Sequence, residues 1–73
     1  MSRIKLLFGK RLRRLRRQAD LTQEQLAERI GVSVEFVSNM ERGINAPSFD
    51  TLEKLADSLK LKVSELFEFQ TGE

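Results

Sequence analysis

LTQEQLAERIGVSVEFVSNMERG, residues Leu21 to Gly43, decides how this chain is read. Apolar residues recur at helical spacing on both sides of a single glycine, Gly31, and never alternate with period two. The spacing predicts one helix over Thr22–Ile30 and a second over Ser33–Arg42. The local capping chemistry agrees. Thr22-Gln23-Glu24-Gln25 has the form of a capping box, in which Thr22 accepts from the Gln25 backbone N–H and the Gln25 side chain reaches back. Leu21 and Leu26 occupy the two positions of a hydrophobic staple. Gly31 stands where the chain must turn left-handed, which glycine does at little cost. Ser33 caps the second helix, with Val32 and Val37 as its staple.

Outward from this pair the same periodicity continues. A first helix is expected over Arg3–Gln18, with Ile4, Phe8, Leu12 and Leu15 on one stripe. Gly9 weakens it by up to about 1 kcal/mol relative to alanine. Gly43 to Pro47 is a loop. A fourth helix over Ser48–Leu59 turns Leu52, Leu55, Ala56 and Leu59 inward, and a fifth short turn lies near Val63–Phe67. The tail from Gln70 to Glu73 is expected to fray. The reading is therefore one all-α domain over residues 1–73, with five helices and a helix-turn-helix core at 22–42.

Composition narrows the chemistry. The 73 residues contain no cysteine, histidine or tyrosine. Disulfides, thiolate or imidazole metal sites and the usual general bases are absent. There is no glycine-rich phosphate loop. No catalytic residue, cofactor, metal or small-molecule ligand is expected. No signal peptide or membrane-length apolar run is visible, and a cytoplasmic location is expected. The net charge of +2 conceals a gradient, for residues 1–19 carry +8 without one acid and the remainder carries −6. Such asymmetry suits a polyanion or an anionic surface. A solvated helix face is the plainer reading of the same arginines, and a basic amphipathic helix lying on a membrane is a third.

The helix over Ser33–Arg42 has the residue types that direct base contact needs. Advancing 100° per residue, Val37 and Met40 define its inward side and Phe36 its border. Val34, Glu35, Ser38, Asn39 and Arg42 point away. Asn39 suits an adenine edge, Glu35 a cytosine amino group and Val34 a thymine methyl, with Ser38 beside them. Phosphates call for other groups. Gln23 stands beside the exposed N–H groups of the preceding helix, a natural anion site. Ser33, Arg42 and Asn45 flank the second helix and can bracket it on the backbone. Arg13 and Arg17 project from the first helix, opposite its apolar stripe. Double-stranded DNA is the partner these positions imply.

Together the residues resemble a known family. Leu12-Arg13-Arg14-Leu15-Arg16, Leu21-Thr22-Gln23, Leu26-Ala27, Gly31-Val32-Ser33, Val37-Ser38, Glu41-Arg42-Gly43, Pro47-Ser48 and Leu52 are similar to the phage-repressor-like, or xenobiotic-response-element type, helix-turn-helix family. The resemblance covers about residues 8–67. It implies a five-helix domain of the lambda-repressor-like class that binds operator DNA, usually as a dimer. It also implies a pairing of Arg16 with Glu41, both at the edges of their helices' apolar stripes, whereas the alternative is two independent surface charges. The sequence departs from the family at Lys60, commonly glycine, and at Lys62, commonly a capping serine, which leaves the start of the fifth helix open.

Aromatic residues exceed what so small a core needs. Phe8 and Phe67 fit the interior. Phe49 and Phe69, with Leu66, are expected at a two-fold homodimer interface formed by residues 48–73. A monomer whose terminal residues fold over the core is the alternative. A module that uses this fold mainly to hold a protein partner, antitoxin-like or coactivator-like, is a second functional class. Restriction–modification controllers, phage repressors and antitoxin subunits all share the pattern so far.

Overall fold

A computed structural model describes residues 3–69. Its order is α1 (Arg3–Gln18), α2 (Gln23–Ile30), α3 (Val34–Glu41), α4 (Phe49–Leu59) and a 3₁₀ turn at Val63–Phe67. Among the described residues there are thus four α-helices and one 3₁₀ turn where five helices were expected. Met1, Ser2 and the tail from Gln70 to Glu73 lie outside the described residues.

The helix starts follow the capping pattern. Thr22 Oγ1 accepts from the Gln25 N–H at 3.0 Å, while Gln25 Oε1 accepts from the Thr22 N–H at 2.9 Å. Ser33 Oγ accepts from Phe36 N–H at 3.0 Å and Ser48 Oγ from Thr51 N–H at 3.1 Å. Each such cap contributes about 1 kcal/mol. Gly31 ends α2 with φ 73° and ψ 33°, in the left-handed region. Lys60 ends α4 in the same region, with φ 59° and ψ 45°. The lysine therefore adopts the conformation that glycine would take more cheaply. Lys62, which has no side-chain oxygen to cap with, is served instead by Glu65, whose Oε1 accepts its N–H at 2.9 Å.

The core is one cluster. Leu12, Leu26, Ile30, Val37, Met40, Leu55 and Leu66 are fully buried, joined by Phe8, Leu15, Leu21, Ala27, Leu52 and Ala56. Burial of each large aliphatic side chain contributes about 1.5–3 kcal/mol relative to exposure. α3 packs between α1 and α2, α4 packs on α2, and the 3₁₀ turn closes against α1 and α4. Two expected core members lie elsewhere. Ile4 is 56% exposed and lines a surface groove with Ala46, Pro47 and Phe49. Phe67 is 37% exposed and rests against the rim of the core, its ring centroid 5.4 Å from that of Phe8.

Gly9 has a role that its helix propensity does not suggest. A Cβ there would lie 2.5 Å from the Met40 carbonyl oxygen and 2.6 Å from that of Glu41. The backbone of α1 thus touches the C-terminal end of α3 directly. Just beyond, Gly43 turns at φ 77° against the side chain of Leu6.

Candidate nucleic-acid interface

Local sequence places α3 in two ways. Gly31 reverses the chain, with the Val32 N–H bonded to the Ala27 carbonyl at 3.0 Å. Val37 and Met40, both fully buried, then fix the roll of the helix. The opposite side is left to solvent. Val34 and Glu35 are exposed, Ser38 and Asn39 half-buried and Arg42 exposed. Phe36 is half-buried against the core margin.

The C-terminal end of α3 is held by a buried polar cluster. Arg16 Nε donates to Glu41 Oε2 at 2.6 Å and Arg16 Nη2 to Glu41 Oε1 at 3.1 Å. Arg16 Nη1 donates to the Leu21 carbonyl at 2.7 Å. Gln23 Nε2 donates to Glu41 Oε1 at 3.0 Å. One guanidinium fork therefore ties α1 to α3 and to the entry of α2, and its planar geometry matches the carboxylate edge to edge. Both side chains are almost wholly removed from water, at 10% and 3% exposure. Such a pair is costly to break from one side, because the remaining charge stays buried.

This cluster forms the floor of a groove between α1, the start of α2 and α3. Arg13, Arg17, Gln23, Ser38 and Arg42 line it, as does Glu24. The fold thus brings together five residues that lie in three separate segments of sequence. The Gln23 side chain, expected at a phosphate, spends one amide hydrogen on Glu41 and keeps one, since an amide NH₂ has two. Ser33, Val34 and Glu35 stand outside the groove, around the N-terminal end of α3. Asn45 lies beyond the other end, where the Asn39 carbonyl accepts the N–H groups of Ile44 at 2.9 Å and Asn45 at 3.3 Å and pins the loop.

The expected dimer residues separate. Phe49 is 86% exposed. Leu66 is 0% exposed and belongs to the core, so it is corrected from interface to interior: the 3₁₀ turn points it between α1 and α4. Phe69 is half-buried against the core, with its ring edge-on to Phe67 at 6.1 Å. The apolar ground beside Phe49 is instead a groove lined by exposed Ile4, Ala46 and Phe67 and half-buried Pro47, with the buried Phe8 and Leu52 behind them. The sequence reading missed Arg11, which donates from Nε to the Glu65 carbonyl at 3.0 Å and anchors the 3₁₀ turn to α1. Nothing within four residues of Arg11 signals that partner.

Among the described residues no helix is long and apolar enough to cross a membrane, and no acidic cluster is arranged to hold a metal ion. Residues 12–66 match the helix-turn-helix family HTH_3. The chain is 38% identical over 68 residues to the control protein C.MunI of a Mycoplasma species, spanning 92% of each chain. It is 33% identical over 69 residues to the control protein C.BamHI of Bacillus amyloliquefaciens, spanning 93% of this chain and 85% of that one. The crystal structure of the restriction-modification controller protein C.AhdI from Aeromonas hydrophila superposes with a TM-score of 0.83 at 40% identity, covering 86% of this chain and 96% of that one. The chain belongs to the helix-turn-helix family of DNA-binding transcriptional regulators.

Proposed function

We propose that this helix-turn-helix protein regulates transcription by reading a near-palindromic operator as a two-fold dimer, with α3 of each subunit in the major groove. The observation that carries the reading is the roll of α3. Its apolar side, Val37 and Met40, is consumed by the core, and its other side, exposed at Val34, Glu35 and Arg42 and half-buried at Ser38 and Asn39, adjoins the arginine-lined groove through Ser38 and Arg42. In this reading Val34, Glu35, Ser38 and Asn39 meet base edges. Arg42, Ser33, Asn45, Arg13, Arg17 and the remaining amide hydrogen of Gln23 bracket the helix on phosphates. Arg16 and Glu41 act indirectly, by holding α3 to α1. The likeness to control proteins supports a role at restriction–modification genes, in the cytoplasm. A module that mainly holds a protein partner is not favoured, since the free side of α3 is short, polar and rimmed with cations.

Recognition helices of a dimer would enter successive major grooves, with half-site centres about 34–36 Å apart. The second copy would dock on the apolar ground around Phe49. An aromatic side chain buries about 150–250 Å² when covered, and a two-fold contact presents it twice. Phe49→Ala should therefore shift sedimentation toward the monomer while leaving the helical content intact.

Selection of bound sites from random duplexes tests the whole. The protein should enrich one inverted-repeat sequence. Asn39→Ala should then relax preference at one base position by about 1–3 kcal/mol. Arg42→Ala should weaken all sequences alike and flatten the salt dependence. No enriched sequence, or the same uniform loss from both substitutions, would overturn the assignment.

A further inference from the structure

α1 carries a second cationic surface that the helix-turn-helix leaves unexplained. Lys10 and Arg17 each stand three and four residues from the adjacent pair Arg13 and Arg14, and the four, with Gln18, line an open groove along α1. Residues at those intervals are neighbours on a helix, and like charges so placed work against it. The C-terminal dipole favours Arg17 but does not reach back to Lys10. α1 holds no acid, and no acid lines this groove, in contrast to the neighbouring one, which has Glu24 and Glu41. Within α1 this spacing of like charges is unfavourable, so a reason for it lies outside the helix.

Position supplies one. Arg13 and Arg17 line both grooves, so their guanidinium groups join the groove beside Ser38 and Arg42, which Glu24 also lines, to the one that reaches Lys10. From Lys10 to Arg17 the helix rises about 10 Å, and B-DNA advances 3.4 Å per base pair, so the ridge can follow roughly three further base pairs of backbone. We infer that this ridge, with Lys10 as its outermost member, binds the phosphates of duplex DNA flanking each half-site, independent of sequence. The inference rests on the operator-reading function above. It adds that the bound length of DNA exceeds the sequence that is read.

The test compares two duplexes that share the selected operator. One ends at the outer edge of the two half-sites, and the other continues for a further turn of arbitrary sequence on each side. Wild-type protein should bind the longer duplex more tightly and with a steeper salt dependence. Lys10→Gln should leave the short duplex unaffected. On the long duplex it should reduce the slope of log K against log salt by about 0.9 per subunit, or about 1.8 for a dimer. Between 50 and 200 mM salt that amounts to about a twelvefold smaller loss of affinity. Lys10→Arg should restore the wild-type slope. Equal binding of both duplexes by the wild type overturns the inference, as does an equal effect of Lys10→Gln on both. Loss of vesicle co-sedimentation by Lys10→Gln on anionic lipid, with no change on DNA, also overturns it in favour of a membrane surface. If the wild type fails to distinguish operator from scrambled sequence, the parent reading falls instead, and the two failures stay distinct.

Discussion

Gly9→Ala sets helix propensity against packing, and the geometry decides between them. In an isolated helix the change gains about 0.8–1.0 kcal/mol. Here the new methyl would stand 2.5 Å and 2.6 Å from two backbone carbonyl oxygens, those of Met40 and Glu41. An ordinary carbon–oxygen contact is about 3.3–3.6 Å. The two helices must then separate by the better part of an ångström. Neither side can yield alone, because Met40 is fully buried and Glu41 is gripped by Arg16. Overpacking of this kind costs about 1–3 kcal/mol, and contact with backbone rather than a flexible side chain puts it in the upper half. Against the propensity gain, the net loss is about 1–2 kcal/mol. For a domain of this size that lowers the melting temperature by about 5–15 °C. Urea unfolding followed by far-UV circular dichroism should show an earlier midpoint with an unchanged slope. Gly9→Val should be worse again. A Gly9→Ala protein as stable as the wild type, or more so, would refute the direct α1–α3 contact.

Three other outcomes follow from the described contacts. Arg16→Ala leaves the Glu41 carboxylate buried without its guanidinium and should cost about 3–5 kcal/mol in the same unfolding assay, whereas the double change Arg16→Met with Glu41→Leu should cost much less. Leu66→Ala should lose about 2–5 kcal/mol of stability, with its effect read in unfolding and not in self-association, as its place in the core requires. Lys60→Gly should stabilise by about 0.5 kcal/mol, because relief of a left-handed lysine, about 1–2 kcal/mol, is offset in part by the greater freedom of glycine in the unfolded chain; a thermal melt would show no gain if α4 ended otherwise.

Interactions that span three or four residues could be read directly. Thr22 with Gln25, Ser33 with Phe36 and Ser48 with Thr51 are local hydrogen bonds, so residue type and spacing alone foretell them. The roll of α3 is nearly as local, because Val37 and Met40 recur at helical period and the polar side follows from them. Arg16 with Glu41, 25 residues apart, was implied only by likeness to a family, since composition cannot say which two charges will meet.

What remained was settled by distance. Whether Leu66 lies inside or at an interface depends on how a five-residue turn closes on α1 and α4, and periodicity is undefined over so short a stretch. Arg11 reaches a carbonyl 54 residues away. The pattern assigned Gly9 only a weaker helix, because helix propensity is a property of one chain segment, whereas the space a methyl needs is set by another. By itself, then, the sequence determined which segments become helices and which side of α3 is polar, through forces that act within a turn. Only the tertiary structure decided how closely those helices approach and which cations share a groove, because contacts between remote segments carry no mark in the residues beside them.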